Sequence, residues 1–191
     1  MTPPVHATRR RPARQARQAG ITLIESMVAL VIAAVLLGIA VPSMLELIAR
    51  KRVAAVATEL ASDLRYLTSV GMKDERLTNL DVGAACYVLV IDTLGSKAAC
   101  DCTKPLPCGT LTFGRVVLKR LVIPDSTGIT LTSAKAHSSF SIDGFLVGPD
   151  PISMTIESSL GGKVKVYTVG SINRPYVCSV TNQESNFPAC P

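Results

Sequence analysis

Six cysteines are the residues of this 191-residue chain whose chemistry is easiest to anticipate. They are Cys86, Cys100, Cys102, Cys108, Cys178 and Cys190. Cys100-x-Cys102 followed by Cys108 is a metal candidate, but the spacing fits no common zinc pattern. All six lie beyond an apolar N-terminal run and their number is even. We therefore expect up to three disulfides, with Cys178 bonded to Cys190 and Cys86 to one of the remaining three.

The two histidines give no comparable signal. His6 lies in the basic N-terminal segment, and His137 lies in a stretch of Ser, Ala and Lys. Neither has a nucleophile or acid motif beside it that is typical of general acid–base or triad catalysis. We predict that the chain is not an enzyme, that it uses no metal or other cofactor, and that His137 is an exposed loop or strand residue.

Glu25 is the third candidate, because it stands at the start of the apolar run. From Ser26 to Leu45 there are twenty residues without a charge. As a helix they cover roughly 30 Å, the thickness of a bilayer core. An ionised side chain in such a helix costs about 2.5–3.5 kcal/mol at full depth and less near the interface. An isolated charge there is a functional candidate.

The net charge of +6 is concentrated in front of this run. Residues 1–20 contain five arginines and no acid, so the remaining 15 Lys and Arg face 14 Asp and Glu. A basic segment on the N-terminal side predicts that this end is cytoplasmic and that the chain after Leu45 is extracytoplasmic. The charge is thus a topology signal and not the footprint of a nucleic-acid-binding domain. A plain signal anchor, or a secretory signal cleaved after Ala40, is the alternative.

A helix of two different halves must position Glu25. Pro42 ends the uniformly apolar half and is expected to kink the helix, which continues to about Val70. The second half is amphipathic, with apolar residues at steps of three and four. Its apolar stripe is Val53, Val56, Leu60, Leu64 and Leu67, and charges at the other positions are Lys51, Arg52, Glu59, Asp63 and Arg65.

The chain after Gly71 predicts β-structure. Short β-branched runs alternate with turn residues, and Asp143-Gly144 and Gly161-Gly162 are hairpin signals. We expect one or two antiparallel sheets closed over the amphipathic half of the helix, which is an α+β fold.

The stretch from Gly20 to Glu25, GITLIE, with the apolar helix and Pro42 behind it, resembles the type IV pilin and type II secretion pseudopilin superfamily. The resemblance implies that a prepilin peptidase cleaves between Gly20 and Ile21 and methylates the new amino group of Ile21. It implies an inner-membrane protein that passes through lipid once and is drawn into a filament by an assembly platform. Other pilins or pseudopilins would contact its N-terminal helix, where Glu25 serves filament assembly. The implied parts are a leader (1–20), a membrane and filament-core helix (21–45), an amphipathic helix (46–70) and a periplasmic β-rich domain (71–191).

The downstream pieces CYVLVID, CGTLTF and FSIDGFLVG resemble the GspH/FimT group. This favours a minor type IV pilin that is incorporated into a pilus or primes it, with a minor pseudopilin of a type II secretion system as the alternative. A second alternative is a DNA-binding minor pilin. Arg174, Lys163 and Lys165 are its candidate phosphate contacts. GSINRPYVC lacks the Gly-Arg-x-Arg pattern of such members, however, and we favour solvent-facing strand charges as the explanation of these residues.

Overall fold

The structure is a computed structural model that describes residues 22–93, 99–106, 108, 114–148, 150–170, 174–181 and 186–191. Within these described residues, one helix precedes eight strands and a short 3-10 helix at Asp125–Thr127. These elements are α1 (Leu23–Asp74), β1 (Leu77–Val82), β2 (Cys86–Asp92), β3 (Arg115–Val122), β4 (Ile129–Ser133), β5 (His137–Phe140), β6 (Ser153–Ser158), β7 (Lys163–Thr168) and β8 (Pro175–Ser179).

The strands form two antiparallel sheets of four strands each. Sheet I has the order β3-β2-β1-β5, and sheet II has the order β4-β6-β7-β8. In β7, Val164 and Val166 are buried while Lys163 and Lys165 are half-exposed, because alternate side chains of a strand point to opposite faces. The predicted α+β fold, a long N-terminal helix packed on antiparallel sheets, is confirmed.

The core lies between the second half of α1 and the two sheets. It takes Leu60, Leu64 and Leu67 from the helix, together with Tyr87 of sheet I and Ile156 of sheet II, among others. The predicted stripe is buried except at Val56, which is only partly buried while Ala57 takes the buried position. The chain divides after Val41 into two units, and this core belongs wholly to the second, Pro42–Pro191.

Helix α1 extends beyond the predicted end at Val70 and stops at Asp74. Glu75 takes a left-handed conformation with φ of 51°, and the Arg76 N–H donates to the Gly71 carbonyl at 3.1 Å. This is the backbone pattern of a Schellman cap, which satisfies carbonyls at a helix end. The boundary was missed because a glutamate, and not the usual glycine, occupies the left-handed position.

Both predicted glycine turns are present, but they differ in what they connect. Gly161-Gly162 joins β6 to β7 in an antiparallel hairpin. At Asp143-Gly144 the chain also turns, and Gly144 has φ of 77°. The returning segment is not a full strand there, since it forms only the isolated bridge between Phe140 and Leu146.

The cysteines form three disulfides: Cys86–Cys102, Cys100–Cys108 and Cys178–Cys190. The last is the pair expected from the sequence, and Cys102 is the partner of Cys86 that the sequence left open. Cys86, Cys100 and Cys102 form a small second core with Val88 and Val90 of β2. The Cys86–Cys102 disulfide thus attaches the segment that contains Cys100 and Cys102 to β2 of sheet I, and Cys100–Cys108 closes a loop within that segment.

Gly83 is expected to tolerate no side chain, because an added Cβ would lie 2.9 Å from the Sγ of Cys102 and 3.0 Å from that of Cys86. Gly83→Ala should destabilise the protein by about 1–3 kcal/mol, the usual cost of overpacking. Denaturant unfolding measures this loss, and mass spectrometry after thiol alkylation counts the remaining disulfides. Gly38→Ala is the control, since a Cβ there meets no atom within 4 Å; equal losses for both variants would contradict the prediction.

Candidate functional site

The first turn of α1 presents Glu25 in a capped helix end. The Glu25 N–H donates to Thr22 Oγ1 at 3.3 Å, and the Ser26 N–H donates to the Thr22 carbonyl at 3.2 Å. Thr22 therefore acts as the N-cap, a role for which threonine is preferred. A carboxylate in the first turn is also favoured by the helix dipole. The local structure thus fixes the position of the Glu25 side chain in the first turn of the helix.

The segment that follows Glu25 has no covering within its own chain. Every residue from Thr22 to Leu45 is exposed, including large side chains such as Leu30, Leu36 and Ile39. Helix α1 has the length and composition to cross a membrane. An exposed apolar surface of this extent is typical of contact with lipid or with other apolar helices.

Two of the predicted processing residues, Gly20 and Ile21, lie outside the described residues. Pro42 lies inside α1, as expected. Its role as a kink stays a prediction.

A polar cluster joins the amphipathic half of α1 to sheet I. The Tyr87 hydroxyl donates to Asp63 Oδ2 at 2.6 Å. Lys119 Nζ of β3 lies 2.8 Å from Asp63 Oδ2 and 2.7 Å from Glu59 Oε1. Asp63 is buried, so its prediction as one of the charges off the apolar stripe was wrong. Its spacing of three residues from Leu60 and four from Leu67 was the signal that could have placed it on the buried face.

The environment of this cluster shifts two pKa values upward. Burial, then the hydrogen bond and negative charge of Asp63, raise the pKa of Tyr87 well above its usual range. For Lys119, burial lowers the pKa, but the hydrogen bonds and charges of Asp63 and Glu59 outweigh it and the net shift is upward. The folded state therefore holds both protons more tightly than the unfolded chain.

We expect the free energy of unfolding to fall as the pH rises above about 10, where tyrosine and lysine of an unfolded chain lose their protons. The folded protein must keep these protons or lose the hydrogen bonds and ion pairs of the cluster. The contribution of the two raised pKa values to the free energy of unfolding is therefore complete below that pH. Urea unfolding between pH 8 and 11, completed before disulfides exchange, measures the slope. Tyr87→Phe should flatten it; an unchanged slope in this variant would exclude Tyr87 as the cause.

The three candidate phosphate contacts lie at β7 and β8 but have different surroundings. Lys163 Nζ is paired with Glu157 Oε2 at 2.7 Å. Lys165 Nζ lies 6.0 Å from the ring centroid of Tyr167, and the Arg174 guanidinium lies 5.8 Å from that of Tyr176. The two tyrosine rings stack with centroids 5.8 Å apart. Lys165 and Arg174 therefore each lie beside one ring of an aromatic pair that was not predicted from the sequence.

His137 is not the exposed residue that the sequence predicted. It is half-buried on β5, and its Nδ1 lies 2.5 Å from Oδ1 of the buried Asp81. The prediction failed because Asp81 is 56 residues away in sequence and only the pairing of β1 with β5 places it opposite His137.

Comparison with known proteins bears on the N-terminal half of α1. Residues 15–41 match the family model of the prokaryotic N-terminal methylation motif. The N-terminal segment carries the type IV pilin signal. This pilin-type segment includes Gly20, Ile21 and Glu25, and its last matched residue, Val41, is also the last residue of the first compact unit.

Two crystal structures of the type IV minor pilin FimU from Pseudomonas aeruginosa are similar in structure to this chain. The first is 15% identical with a TM-score of 0.47, and the match covers 68% of this chain and 89% of FimU. The second is 14% identical with a TM-score of 0.46, over 65% of this chain and 90% of FimU. The comparison with curated proteins gives no match.

Proposed function

We propose that the protein is a minor type IV pilin of the GspH/FimT kind, a structural subunit incorporated into a pilus or priming its assembly. The observation that carries the proposal is the pilin-type segment, in which Glu25 follows the methylation-type cleavage residues and precedes a fully exposed apolar helix. Such a helix is first covered by lipid and later by the parallel helices of neighbouring subunits.

Cleavage between Gly20 and Ile21 gives Glu25 its partner. Before cleavage the nitrogen of Ile21 is an uncharged amide, and afterwards it is a cationic amino group. Glu25 of one subunit then pairs with the Ile21 amino group of its neighbour. Two desolvated opposite charges fix axial register, as a single buried polar residue does in a coiled coil.

The charge pattern and the disulfides support the topology of this subunit. The arginines of residues 1–20 favour a cytoplasmic N-terminus before processing. The three disulfides belong in an oxidising compartment such as the periplasm. The chain thus crosses the inner membrane once, with its β-rich domain outside, until the assembly platform takes it into the filament.

The test is the mature N-terminus of the chain recovered from sheared surface filaments. Mass spectrometry should find a chain that begins with N-methylated Ile21, at low abundance relative to the main subunit. A chain that keeps residues 1–20, or one that is processed but absent from pili, would contradict the proposal. If the protein is recovered only together with type II secretion pseudopilins, it serves a type II secretion system and not a pilus.

We also propose DNA binding as a second function, favoured by the stacked Tyr167–Tyr176 pair between Lys165 and Arg174. Single-stranded nucleic acids are held by aromatic side chains that stack on bases and by cations that contact the phosphates. Tyr176 is exposed, so a base can stack on its ring by displacing the Arg174 guanidinium that lies over it. Lys163 contributes less, because Glu157 neutralises it.

A gel shift with a single-stranded oligonucleotide tests this second function, with the full chain in detergent. Tyr176→Ala and Arg174→Ala should each weaken binding about tenfold, and binding should fall steeply with salt. Lys163→Ala is the matched control and should change affinity less than twofold. No retardation at low salt would exclude DNA binding without affecting the role of the pilin-type segment.

A further inference from the structure

A serine, a histidine and an aspartate form a connected row on the outer face of sheet I. Ser139 Oγ lies 3.0 Å from His137 Nε2. The other ring nitrogen, Nδ1, lies 2.5 Å from Asp81 Oδ1. With the Nδ1 proton held by the carboxylate, Nε2 is the nitrogen that accepts the serine proton. This is the order of contacts that activates a serine nucleophile.

Strand geometry holds the three side chains in register. His137 and Ser139 are two residues apart on β5 and therefore point to the same face. Asp81 of β1 is the direct cross-strand partner of His137. The second carboxylate oxygen of Asp81 accepts the Cys100 N–H at 2.9 Å, so the disulfide-bonded segment fixes the orienting acid. The His-x-Ser spacing was the sequence signal for two of the three groups.

The row opens into a cavity large enough for a ligand. His137 and Ser139 line a space of about 230 Å³ together with Lys135, Leu146 and Val147. A cavity of about 150 Å³ holds benzene, so this one accommodates a short acyl group with its leaving group. Leu146 and Val147 supply apolar surface. Lys135 also lines the cavity, but its Nζ is paired with Asp150 Oδ2 at 2.9 Å, so it stabilises an oxyanion less than an unpaired cation would.

We propose that Ser139 is a nucleophile that takes acyl groups from short-chain carboxylic esters. Ser139 Oγ attacks the ester carbonyl while His137 Nε2 accepts its proton. His137 then gives that proton to the departing alkoxide, which leaves as an alcohol, and the acyl group stays on Ser139. Water, deprotonated by His137, hydrolyses the new ester to a carboxylic acid and restores Ser139. Asp81 is a positioning residue, and the site is independent of the pilin-type segment.

A fluorophosphonate probe, which phosphonylates activated serines, tests the proposal on the full chain in detergent. Peptide mass spectrometry should find one label per chain, on Ser139. Ser139→Ala should remove the label, and His137→Gln and Asp81→Asn should slow labelling at least tenfold. Ser62→Ala is the matched control, because this exposed hydroxyl donates to the Glu59 carbonyl of its own helix. Labelling that is absent, or that is unchanged in Ser139→Ala, would overturn the proposal.

A second measurement separates activation from a structural role of the same hydrogen bonds. Ser139→Cys should react with iodoacetamide at least tenfold faster than a cysteine placed at Ser62, and Asp81→Asn should remove the difference. Melting temperatures and intact disulfides of each variant show that the fold persists. Equal alkylation rates at the two positions in folded protein would show that His137 does not activate residue 139.

Discussion

Glu25→Ala is expected to reduce recovery of the protein in sheared filaments at least tenfold, while its amount in the inner membrane stays the same. Insertion depends on the uncharged residues from Ser26 to Leu45, which the change leaves intact. In the proposed filament, assembly loses the carboxylate that pairs with the neighbouring Ile21 amino group. Tenfold corresponds to only about 1.4 kcal/mol per subunit, which is small for a desolvated charge pair. Quantitative mass spectrometry of the filament and membrane fractions measures both quantities.

Glu46→Ala provides the matched control for this experiment. Glu46 is another glutamate of α1, but it already has an ion-pair partner in its own chain, Arg50. Removing it should leave filament recovery within about twofold of the unmodified protein. Normal recovery of the Glu25→Ala protein would contradict the assembly role. Equal losses from both variants would attribute the effect to helix α1 in general.

Asp63→Ala is expected to lower the free energy of unfolding by about 3 kcal/mol. The change leaves the buried Tyr87 hydroxyl without its acceptor and Lys119 with Glu59 alone. An orphaned buried donor costs about 1–3 kcal/mol, and loss of a hydrogen bond to a charged group adds to it. The figure stays below the full cost of breaking a buried ion pair, because the Lys119 side chain is 34% exposed. Urea unfolding of the full chain in detergent, followed by tyrosine circular dichroism, measures the loss.

Glu59→Ala is the control for the same cluster. Its side chain is 41% exposed and reaches only Lys119 among the cluster residues, so removal should cost less than about 1 kcal/mol. In the double variant with Tyr87→Phe, Asp63→Ala should cost less than it does alone, because no hydroxyl is left without a partner. Equal costs for Asp63→Ala and Glu59→Ala, or strict additivity with Tyr87→Phe, would show that the buried hydrogen bond does not join helix and sheet.

Features that depend only on residues close together in the chain were predictable from the sequence. An uncharged run long enough to span a bilayer, the start of the helix before Glu25, and the amphipathic stripe through Leu60 and Leu64 all follow from local composition and a period of 3.6 residues. The hairpin at Gly161-Gly162 follows from glycine's access to positive φ, which both residues use. The Cys178–Cys190 bond was also predictable, since only 12 residues separate the two cysteines.

Features that depend on which strands pair could not be predicted from the sequence. The charge of Asp63 suggested a solvent-facing position, but Tyr87 and Lys119 lie 24 and 56 residues away and make its burial favourable. His137 looked isolated until β5 paired with β1 and placed Asp81 opposite it. The sequence by itself determined a membrane-competent helix with one carboxylate in its first turn, because these properties are local. Tertiary structure alone decided which polar groups meet, because a buried polar side chain is stable only where the fold supplies its partner.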